Sequence, residues 1–208
     1  MKVFIKLILK QILYRTPIIG DYFKIKKYNH AGFSLVGFIK FKFFTRDKTI
    51  YWPRSKSCVI SGAQNISIGK NCSIGNNGCY IQGAGNLIIG DYVRVGPNVG
   101  ILSGNHGLYK HEEYVKKITI IGNYSWLGMN SIVLPGVTLG PRTIVAAGSV
   151  VTKNFPDGFC VLAGNPAKLV KELDKSRFIP PHDEYDYYGY ISAKKFHKFK
   201  QKYLSNHE

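Results

Sequence analysis

The residue whose type and surroundings point most directly to chemistry is His106. It lies in the stretch Ser103 to Gly107, where small neighbours let another molecule approach the imidazole closely. An imidazole titrates near neutral pH, so it can take a proton from a substrate as a general base. We expect Nε2 to be the base and the other ring nitrogen to donate to a backbone carbonyl or a side chain, which fixes the tautomer.

A second histidine, His111, follows five residues later and raises the alternative of a zinc site. A catalytic zinc ion usually has three protein ligands and one open position. The chain before His106 supplies no third imidazole among its repeats, because His30 precedes them and position 70 is Lys70. The sequence therefore assigns no metal ligands, and the general base is the stronger hypothesis.

The chain around this histidine is organised in units of six residues, most clearly from Ile121 to Val151. The first places of these units are aliphatic: Ile121, Leu127, Val133, Leu139 and Val145. The fifth places are small or β-branched: Ser125, Ser131, Val137, Thr143 and Ser149. A period of six fits neither a helix nor an ordinary strand and is typical of a parallel β-helix. Three units would close one coil, with the aliphatic side chains inside and Gly or Ala next to most of them at the corners.

The same geometry explains a longer repeat. Ile60 to Gly69 (ISGAQNISIG) matches Ile81 to Gly90 (IQGAGNLIIG) at a displacement of twenty-one residues, which is one coil of three sixes with a three-residue bulge. One further step lands on Leu102, where the chain leaves the pattern. We therefore predict a β-helix over residues 58–165, with residues 103–118 as an insertion that leaves the corner of the earlier bulges and carries His106.

The segment before the repeats, residues 1–57, is predicted to form a basic cap. Met1 to Tyr14 should be an amphipathic helix with Lys2, Lys6 and Lys10 on one face. It is too short and too charged to span a bilayer, and no secretory cleavage site follows it. This helix would either pack on the flank of the β-helix or lie on an anionic membrane surface.

Both ends of the β-helix need a cap, because a free sheet edge invites further pairing. The alternation of apolar residues from Phe33 to Trp52 predicts strands that lead into the first coil. Val161 and Leu162 predict a last strand, and a proline then opens a short helix at Ala167 to Leu173. Residues 166–208 would form a Tyr-rich helical tail that packs on the β-helix or on a neighbouring subunit.

Composition favours an anionic partner. Lys and Arg outnumber Asp and Glu by 29 to 12, which suits a nucleotide cofactor, a sugar nucleotide or phospholipid headgroups. We expect no nucleic acid partner, because the basic residues gather in the terminal appendages and no nucleic-acid motif is present. Four cysteines without metal or C-x-x-C spacing, including Cys72 at an inward fifth place, favour reduced thiols and a cytoplasmic protein.

Three motifs in a fixed order resemble a known family. They are Trp126 to Gly140 (WLGMNSIVLPGVTLG), Ala146 to Lys153 (AAGSVVTK) and Ala163 to Lys168 (AGNPAK). They look like the hexapeptide-repeat acyltransferases, in particular the galactoside and maltose acetyltransferases and related sugar O-acetyltransferases of surface-polysaccharide pathways. The resemblance covers Ile60 to Leu173. It implies a mainly β, left-handed β-helix, against the usual right-handed crossover rule, a homotrimer with active sites between subunits, and acetyl-CoA as the acyl donor.

The resemblance also implies roles for single residues on the acceptor side. His106 stands at the place of the family's catalytic histidine. Asn76 and Asn105 stand at places that bind the acceptor, although Gly75 or Asn77 fits the first of these places equally well. Two departures from the galactoside branch are the residues at positions 84 and 129, where Ala replaces an acidic residue and Met a small polar one. Both departures concern the acceptor rather than the acetyl transfer.

On the donor side the resemblance implies six cofactor-binding residues: Trp126, Ala147, Thr152, Lys153, Lys168 and Lys171. The first two would flank the pantetheine arm, and the next two would contact the cofactor through backbone and side chain. The last two lysines stand where the family often has arginines near the cofactor's phosphates, and a lysine would bind phosphate as a point charge.

The function expected from this resemblance is acetyl transfer from acetyl-CoA to a sugar hydroxyl, in the assembly of capsule, O-antigen or another surface glycan. The enzyme would work in the cytoplasm, or peripherally on the inner face of the membrane. Two alternatives remain open. One is a xenobiotic acetyltransferase of the streptogramin type, whose catalytic loop has a similar Asn-His pair. The other is a zinc carbonic anhydrase, a class that uses the same solenoid.

Overall fold

The computed structural model describes residues 14–16, 18–29, 33–181 and 184–204. Apart from Tyr14, the helix predicted for residues 1–14 lies outside these residues. Within them the chain is mainly β, with three α-helices at its two ends: α1 (Ile19–Lys26), α2 (Leu35–Ile39) and α3 (Ala193–Tyr203). None of the described helices is long and apolar enough to cross a membrane.

The centre of the fold is a three-walled prism of short parallel strands. The first wall contains β1 (Val59–Ser61), β3 (Tyr80–Gln82), β6 (Gly100–Ile101), β11 (Ile132–Val133) and β14 (Val150–Val151). The second wall contains β2 (Ile66–Ile68), β4 (Leu87–Ile89), β9 (Thr119–Ile121) and β12 (Thr138–Leu139). The third wall contains β5 (Arg94–Val95), β10 (Trp126–Leu127), β13 (Thr143–Val145), β15 (Cys160–Gly164) and β16 (Ala167–Glu172). The prism matches a left-handed β-helix, as predicted.

The six-residue pattern accounts for the core. All five aliphatic first places between Ile121 and Val145 are buried, and so are all five fifth places between Ser125 and Ser149. The hydroxyls of Ser125, Ser131 and Thr143 donate to nearby carbonyls, for example Ser131 Oγ to Gly128 O at 2.7 Å, and Ser149 Oγ accepts from Gly164 N at 3.1 Å. These buried polar groups therefore have partners, and the corners carry no unsatisfied hydroxyl at this position.

The Gly in the second place of a unit is required by the close approach of neighbouring coils. A Cβ atom on Gly122 would lie 2.4 Å from the carbonyl carbon of Gly140 in the next coil. Real Cβ atoms do not come this close to backbone, so a larger residue here would push the coils apart. The glycine is therefore required by the packing between coils as much as by the bend of the chain.

The register confirms the long repeat and corrects its last step. Ile60 pairs with Ile81, as the displacement of twenty-one residues predicts. Ile81 then pairs with Ile101 rather than with Leu102, so this coil is one residue shorter than predicted. Ile101 pairs directly with Val133, which shows that the insertion is looped out without disturbing the ladder on the first wall.

The prediction of strands between Phe33 and Trp52 was wrong. The chain forms α2, capped by Ser34 Oγ accepting from Gly37 N at 3.0 Å, and then a π-helix over Lys40–Phe44. The apolar residues in this stretch include Phe38 and Phe41, which lie three apart and are buried on one side. Helical spacing, rather than alternation, therefore governs this segment.

The prediction of a helix over Ala167 to Leu173 was also wrong, whereas the last strand at Val161 and Leu162 is confirmed as part of β15. Ala167 to Glu172 form β16, which pairs antiparallel with β15. The last coil would otherwise expose the free edge of β15. Pairing across that edge satisfies more backbone groups than an isolated short helix could.

The tail is helical at its end, as predicted, and it packs at the other end of the prism. It returns along the corner between the second and third walls, where Phe178 contacts Tyr124 at a ring distance of 5.0 Å and Asp186 binds Lys70 at 3.0 Å. A short hairpin, β17 (Tyr187–Tyr188) and β18 (Ile191–Ser192), then leads into α3. Phe199 of α3 packs beneath the first coil against Tyr51 at 5.8 Å.

The four cysteines are free and buried, and this predicts how the thiols react. Burial raises the pKa of Cys58 and Cys72 to about 12, and it also raises the pKa of Cys79 and Cys160. Few of these thiols are ionised at pH 8, and the thiolate is the nucleophile.

Iodoacetamide at pH 8 should therefore label none of the four cysteines in the native protein and all four in denaturant, counted by mass spectrometry. A Lys56→Cys variant, with its new thiol on an exposed position, should add one label under native conditions, and rapid native labelling of the parent protein would contradict the assignment to the core.

Candidate active site

The insertion after β6 forms a hairpin at the corner between the first and second walls. Its strands are β7 (Gly104–His106) and β8 (Tyr114–Lys116), which pair antiparallel with His106 opposite Tyr114. We call residues 103–118 the hairpin. The corner between the first and second walls, from which the hairpin leaves the prism, is called the first corner. The hairpin therefore holds the predicted base on paired strands rather than on an irregular loop.

The hydrogen bond expected at the imidazole is present. His106 Nδ1 lies 2.8 Å from the carbonyl oxygen of His111. A carbonyl oxygen only accepts, so Nδ1 must carry the proton and Nε2 has a lone pair in the neutral ring. The residue is exposed, and the Tyr114 ring meets it edge to face at 5.1 Å. The ring is thus oriented by two contacts while Nε2 can accept a proton.

A buried amide that the sequence analysis missed ties the hairpin to the prism. Gln82, at the end of β3, is 9% exposed. Its Nε2 donates to the Tyr114 hydroxyl, and its Oε1 accepts from Gly104 N at 3.1 Å. The sequence carried one signal, since a glutamine stands here where the preceding coil has Ser61 in register, directly below the insertion. Gln82 therefore fixes both strands of the hairpin.

The two predicted acceptor residues differ in position. Asn105 is exposed on β7, and its Oδ1 accepts from His106 N at 2.9 Å, so it shapes the backbone beside the imidazole. Asn76 lies at the corner between the third and first walls, where its Oδ1 accepts from Asn77 N at 2.8 Å and its Nδ2 donates to Val95 O at 3.3 Å. Both polar groups of Asn76 thus already have partners within its own corner.

The first four predicted cofactor residues lie at three places on the prism. Thr152 and Lys153 follow β14 and are exposed at the first corner, two strands further along the first wall than the hairpin. Trp126 is 53% exposed on β10 in the third wall, which lies opposite the first corner. Ala147 is exposed at the corner between the third and first walls. Within one protomer, His106 and Trp126 therefore face away from each other.

Lys168 and Lys171 both lie exposed on β16, but only one of them lines a groove. A groove of about 520 Å³ is lined by three cationic and two acidic residues, together with Phe178 and other apolar side chains. The charged residues are Arg142, Lys171, Arg177, Glu172 and Asp174. A second groove of about 480 Å³ continues along the same corner past Tyr124 to Trp126. The structure thus brings Lys171 and Trp126 to one continuous surface, and Lys168 lies outside it.

Apart from Lys171 and Trp126, the basic and aromatic residues of this surface were not singled out from the sequence. Tyr92 and Tyr124 stack at 5.3 Å, and Arg142 lies over the Phe178 ring at 5.5 Å. A signal was present, because Tyr92, Tyr124 and Arg142 each stand three places after the aliphatic residue that opens their unit. Equivalent places in successive coils lie above one another, so their side chains form a ladder.

The described residues contain no group of three or more His, Cys, Asp or Glu that could hold a metal ion. Among them, His106 directs its Nδ1 atom at the His111 carbonyl rather than towards a second imidazole. Nothing in this geometry favours the zinc alternative over a general base.

Comparison with known proteins agrees with this architecture. The model of the family "Bacterial transferase hexapeptide (six repeats)" matches residues 118–153. A putative acetyltransferase of Saccharomyces cerevisiae is 37% identical over 82 residues, which cover 37% of this chain and 41% of that protein. The galactoside O-acetyltransferase of Escherichia coli is 37% identical over 70 residues, 34% of each chain. The matched part thus spans about two fifths or less of the length of these curated relatives.

Solved structures extend the likeness to most of the chain. A galactoside acetyltransferase in complex with coenzyme A superposes with a TM-score of 0.59 at 27% identity, covering 82% of this chain and 87% of that one. A hexapeptide-repeat acetyltransferase from Vibrio cholerae, complexed with acetyl coenzyme A, gives a TM-score of 0.57 at 25% identity over 75% and 87% of the two chains. This chain is therefore a left-handed β-helix that matches the bacterial transferase hexapeptide repeat over residues 118–153, and it is similar to hexapeptide-repeat acetyltransferases in sequence over part of its length and in fold over most of it.

Proposed function

We propose that the protein is an O-acetyltransferase that moves an acetyl group from acetyl-CoA to a sugar hydroxyl, with His106 as the general base. The observation that carries the proposal is the orientation of this imidazole, with Nδ1 held by the His111 carbonyl and Nε2 able to accept a proton. The likeness to acetyltransferases that bind coenzyme A supports the donor. A glycan of the cell surface, such as capsule or O-antigen, is the proposed acceptor.

The proposed reaction needs only groups that this chain supplies. His106 Nε2 would take the proton of the acceptor hydroxyl as its oxygen attacks the thioester carbonyl. Backbone N–H groups at a tight corner would stabilise the oxyanion of the tetrahedral intermediate. The imidazolium would then return its proton to the sulfur of the departing coenzyme A. No covalent enzyme intermediate is required, and the four buried cysteines are not placed to form one.

We further propose a homotrimer whose active sites lie between protomers. In one protomer the hairpin and the exposed Trp126 lie on opposite sides of the prism, so they can meet only across an interface. The base would come from one protomer, and the groove from Trp126 to Lys171 from the next. Trp126 and Ala147 would flank the pantetheine arm, with Thr152 and Lys153 beside the hairpin and Lys168 and Lys171 near the phosphates.

The protein would be cytoplasmic, with the basic residues 1–14 in contact with the inner face of the membrane.

Replacing the proposed base tests the mechanism. His106→Ala should lower kcat for acetyl transfer by roughly 100-fold to 10,000-fold, the usual contribution of a general base. The Kd for acetyl-CoA should stay unchanged, because the imidazole acts on the acceptor. Thiol release from acetyl-CoA against a panel of sugars, lipid-linked glycans and streptogramins would be measured, and a preference for the last would favour the xenobiotic alternative.

His111→Ala is the matched control, because it removes an exposed imidazole and keeps the backbone carbonyl that binds Nδ1. A general base at position 106 predicts nearly full activity for this variant. A zinc site shared by the two histidines predicts that both variants lose activity and bound zinc together. Equal loss in the two variants would therefore refute the proposed role of His106.

Gln82 should act as a positioning residue. Gln82→Leu leaves the Gly104 N–H without its partner, a loss that typically costs about 1–3 kcal/mol for a buried donor. We expect kcat to fall about tenfold with an unchanged KM for acetyl-CoA, since a displaced base mainly slows the chemical step. Tyr114→Phe keeps the ring against the imidazole and should cost less. The control is Gln64→Leu, a change at an exposed residue one coil away, and its kcat should equal that of the parent protein. A Gln82→Leu enzyme with full kcat would show that Gln82 does not position His106.

The shared site can be tested by complementation. His106→Ala and Trp126→Ala would each be inactive alone, but every mixed trimer should contain one intact site among its three interfaces, which is about one interface in four over all trimers if the protomers assort at random. Activity should therefore return after co-expression and purification of the mixed assembly. A mixture without activity, or a monomer in light scattering, would show that the site does not span two protomers.

A further inference from the structure

The outermost layer at the first-coil end of the prism is formed by α2 and the π-helix. Three contacts build this stack outward from the core. The Ile68 backbone N donates to the Tyr51 hydroxyl at 3.3 Å, and the Tyr190 backbone N donates to Tyr51 O at 2.8 Å. Phe41 of the π-helix then stacks on the Tyr190 ring at 4.6 Å. The side of the two helices that turns away from Phe41 is therefore the end surface of the prism.

This outward side is apolar, which is the reverse of the usual pattern for a surface helix. Its large apolar side chains and their exposed fractions are Leu35 46%, Val36 76%, Ile39 38%, Phe43 61% and Phe44 74%. Leu35, Ile39 and Phe43 follow one another at intervals of four residues and so share one face, which Val36 and Phe44 extend, while Phe38 and Phe41 fill the inner face. We call these five residues the end patch. A contiguous apolar surface of this kind marks an interaction site.

Lysines surround the end patch. Lys40 lies exposed within the same helical face. Helix α3 packs beside the π-helix, with Phe199 and Phe41 at 6.4 Å, and carries an exposed stripe of lysines. The members of this stripe are Lys194, Lys195, Lys198 and Lys202. None of these four forms an ion pair with a described residue, so their charge is available to a partner.

The acidic residues near this end are fewer than the lysines. Asp21 forms an ion pair with Lys42 at 3.3 Å, and Asp186 forms one with Lys70 at 3.0 Å. Asp47 and Glu184 accept from neutral groups, Thr49 N and the Tyr185 hydroxyl, so each keeps its negative charge. Residues 1–13 carry three lysines and no acidic residue. The end of the prism therefore combines an apolar centre with a positive border.

We propose that this end of the prism docks on a membrane surface that contains anionic lipids. The end patch would enter the boundary between headgroups and acyl chains, and the α3 lysines would bind the headgroup phosphates. A nucleic acid fits less well, because its phosphates leave protruding Leu, Val and Phe side chains in water. The docking surface belongs to the folded body and adds to any contact made by residues 1–14. It does not require the proposed acetyl transfer.

One consequence of this docking rests on the proposed function, because it places the candidate active site relative to the membrane. The hairpin leaves the prism after β6, which lies two strand spacings along the first wall from β1. Two spacings amount to about 10 Å. The layer of Tyr51, Tyr190 and the two helices lies between β1 and the end patch and adds to this distance. His106 would then face an acceptor that is anchored in the membrane and whose glycan extends past this layer. In a trimer with parallel prisms, three end patches would lie on one side and bind together.

Vesicle sedimentation with the full chain tests the docking surface. The protein should bind vesicles of phosphatidylcholine with roughly one third phosphatidylglycerol, and hardly bind phosphatidylcholine alone, because anionic headgroups attract the lysines. Phe43→Ser with Phe44→Ser should lower partitioning at least tenfold. Lys194, Lys198 and Lys202→Gln should also lower it, and should remove most of its dependence on salt. The matched controls are Leu108→Ser with Tyr109→Ser, an even more exposed pair on the hairpin, and Lys168, Lys171 and Lys175→Gln at the far end.

A second measurement guards against misfolded variants. Phe44→Trp places a reporter in the end patch, and its emission should shift to the blue on anionic vesicles and be quenched by lipids with brominated acyl chains. The proposal is overturned if no vesicle binds, if only Lys2, Lys6 and Lys10→Gln abolish binding, or if the hairpin controls abolish it. It is also overturned if the protein binds an RNA of matched charge as tightly as vesicles and loses both through the lysine variant alone. All of these outcomes are independent of acetyl transfer, so failure of either proposal leaves the other standing.

Discussion

The structure depends on the in-register stacking of coils. Each short strand finds its backbone partners only in the coils before and after it, so every coil must repeat the same path in space. This constraint holds even where the sequence distance changes. In the second wall, strands separated by twenty-one, thirty-two and eighteen residues all pair in register. Additional chain can therefore enter only at a corner, where it interrupts no ladder, and the hairpin with His106 does so.

The same constraint divides the residues of the candidate site. A prism has a dry interior filled by Ile, Leu and Val, so no small molecule can bind inside it. Chemistry must take place on the outside, where a side chain at one corner cannot reach the opposite wall. His106 and Trp126 illustrate this, since the hairpin leaves the first corner and β10 lies in the third wall. A fold of this kind places a complete site between protomers more readily than within one.

Sequence periodicity predicted the prism well because one interaction, burial of an aliphatic residue every sixth position, determines both pattern and structure. The two elements that were predicted wrongly have no such repeat. Phe33 to Trp52 contains enough apolar residues to match either the period of a strand or that of a helix. Contacts with Tyr190, more than 140 positions away, select the helix. The strand at Ala167 is selected by the free edge of β15, which single-segment patterns do not reveal.

Like the fold, the candidate site could be predicted from the sequence only in part. The imidazole and its hydrogen bond to a carbonyl could be expected from the chemistry of a general base. Gln82 could not, because its importance comes from two contacts with residues twenty-two and thirty-two positions later. Most residues of the groove near Lys171 and Trp126 were not predicted, for a related reason. Arg142 and Arg177 are distant in sequence, and they meet only because the tail returns along the corner that the coils have stacked.

The return of the tail also explains why the two ends of the prism differ. At the last coil, β16 closes the sheet with backbone pairing, and no separate layer is needed there. At the first coil, the chain from both termini gathers, held by Asp186 on Lys70 and by aromatic stacking between Phe41, Tyr190 and Phe199. Aromatic rings at this end cover the edge of the β-helix on their inner side, and their helices then present a second surface outward. Because that outer surface has no part in holding the coils together, its apolar residues contribute little to the fold, and their exposure is best explained by contact with something outside the chain.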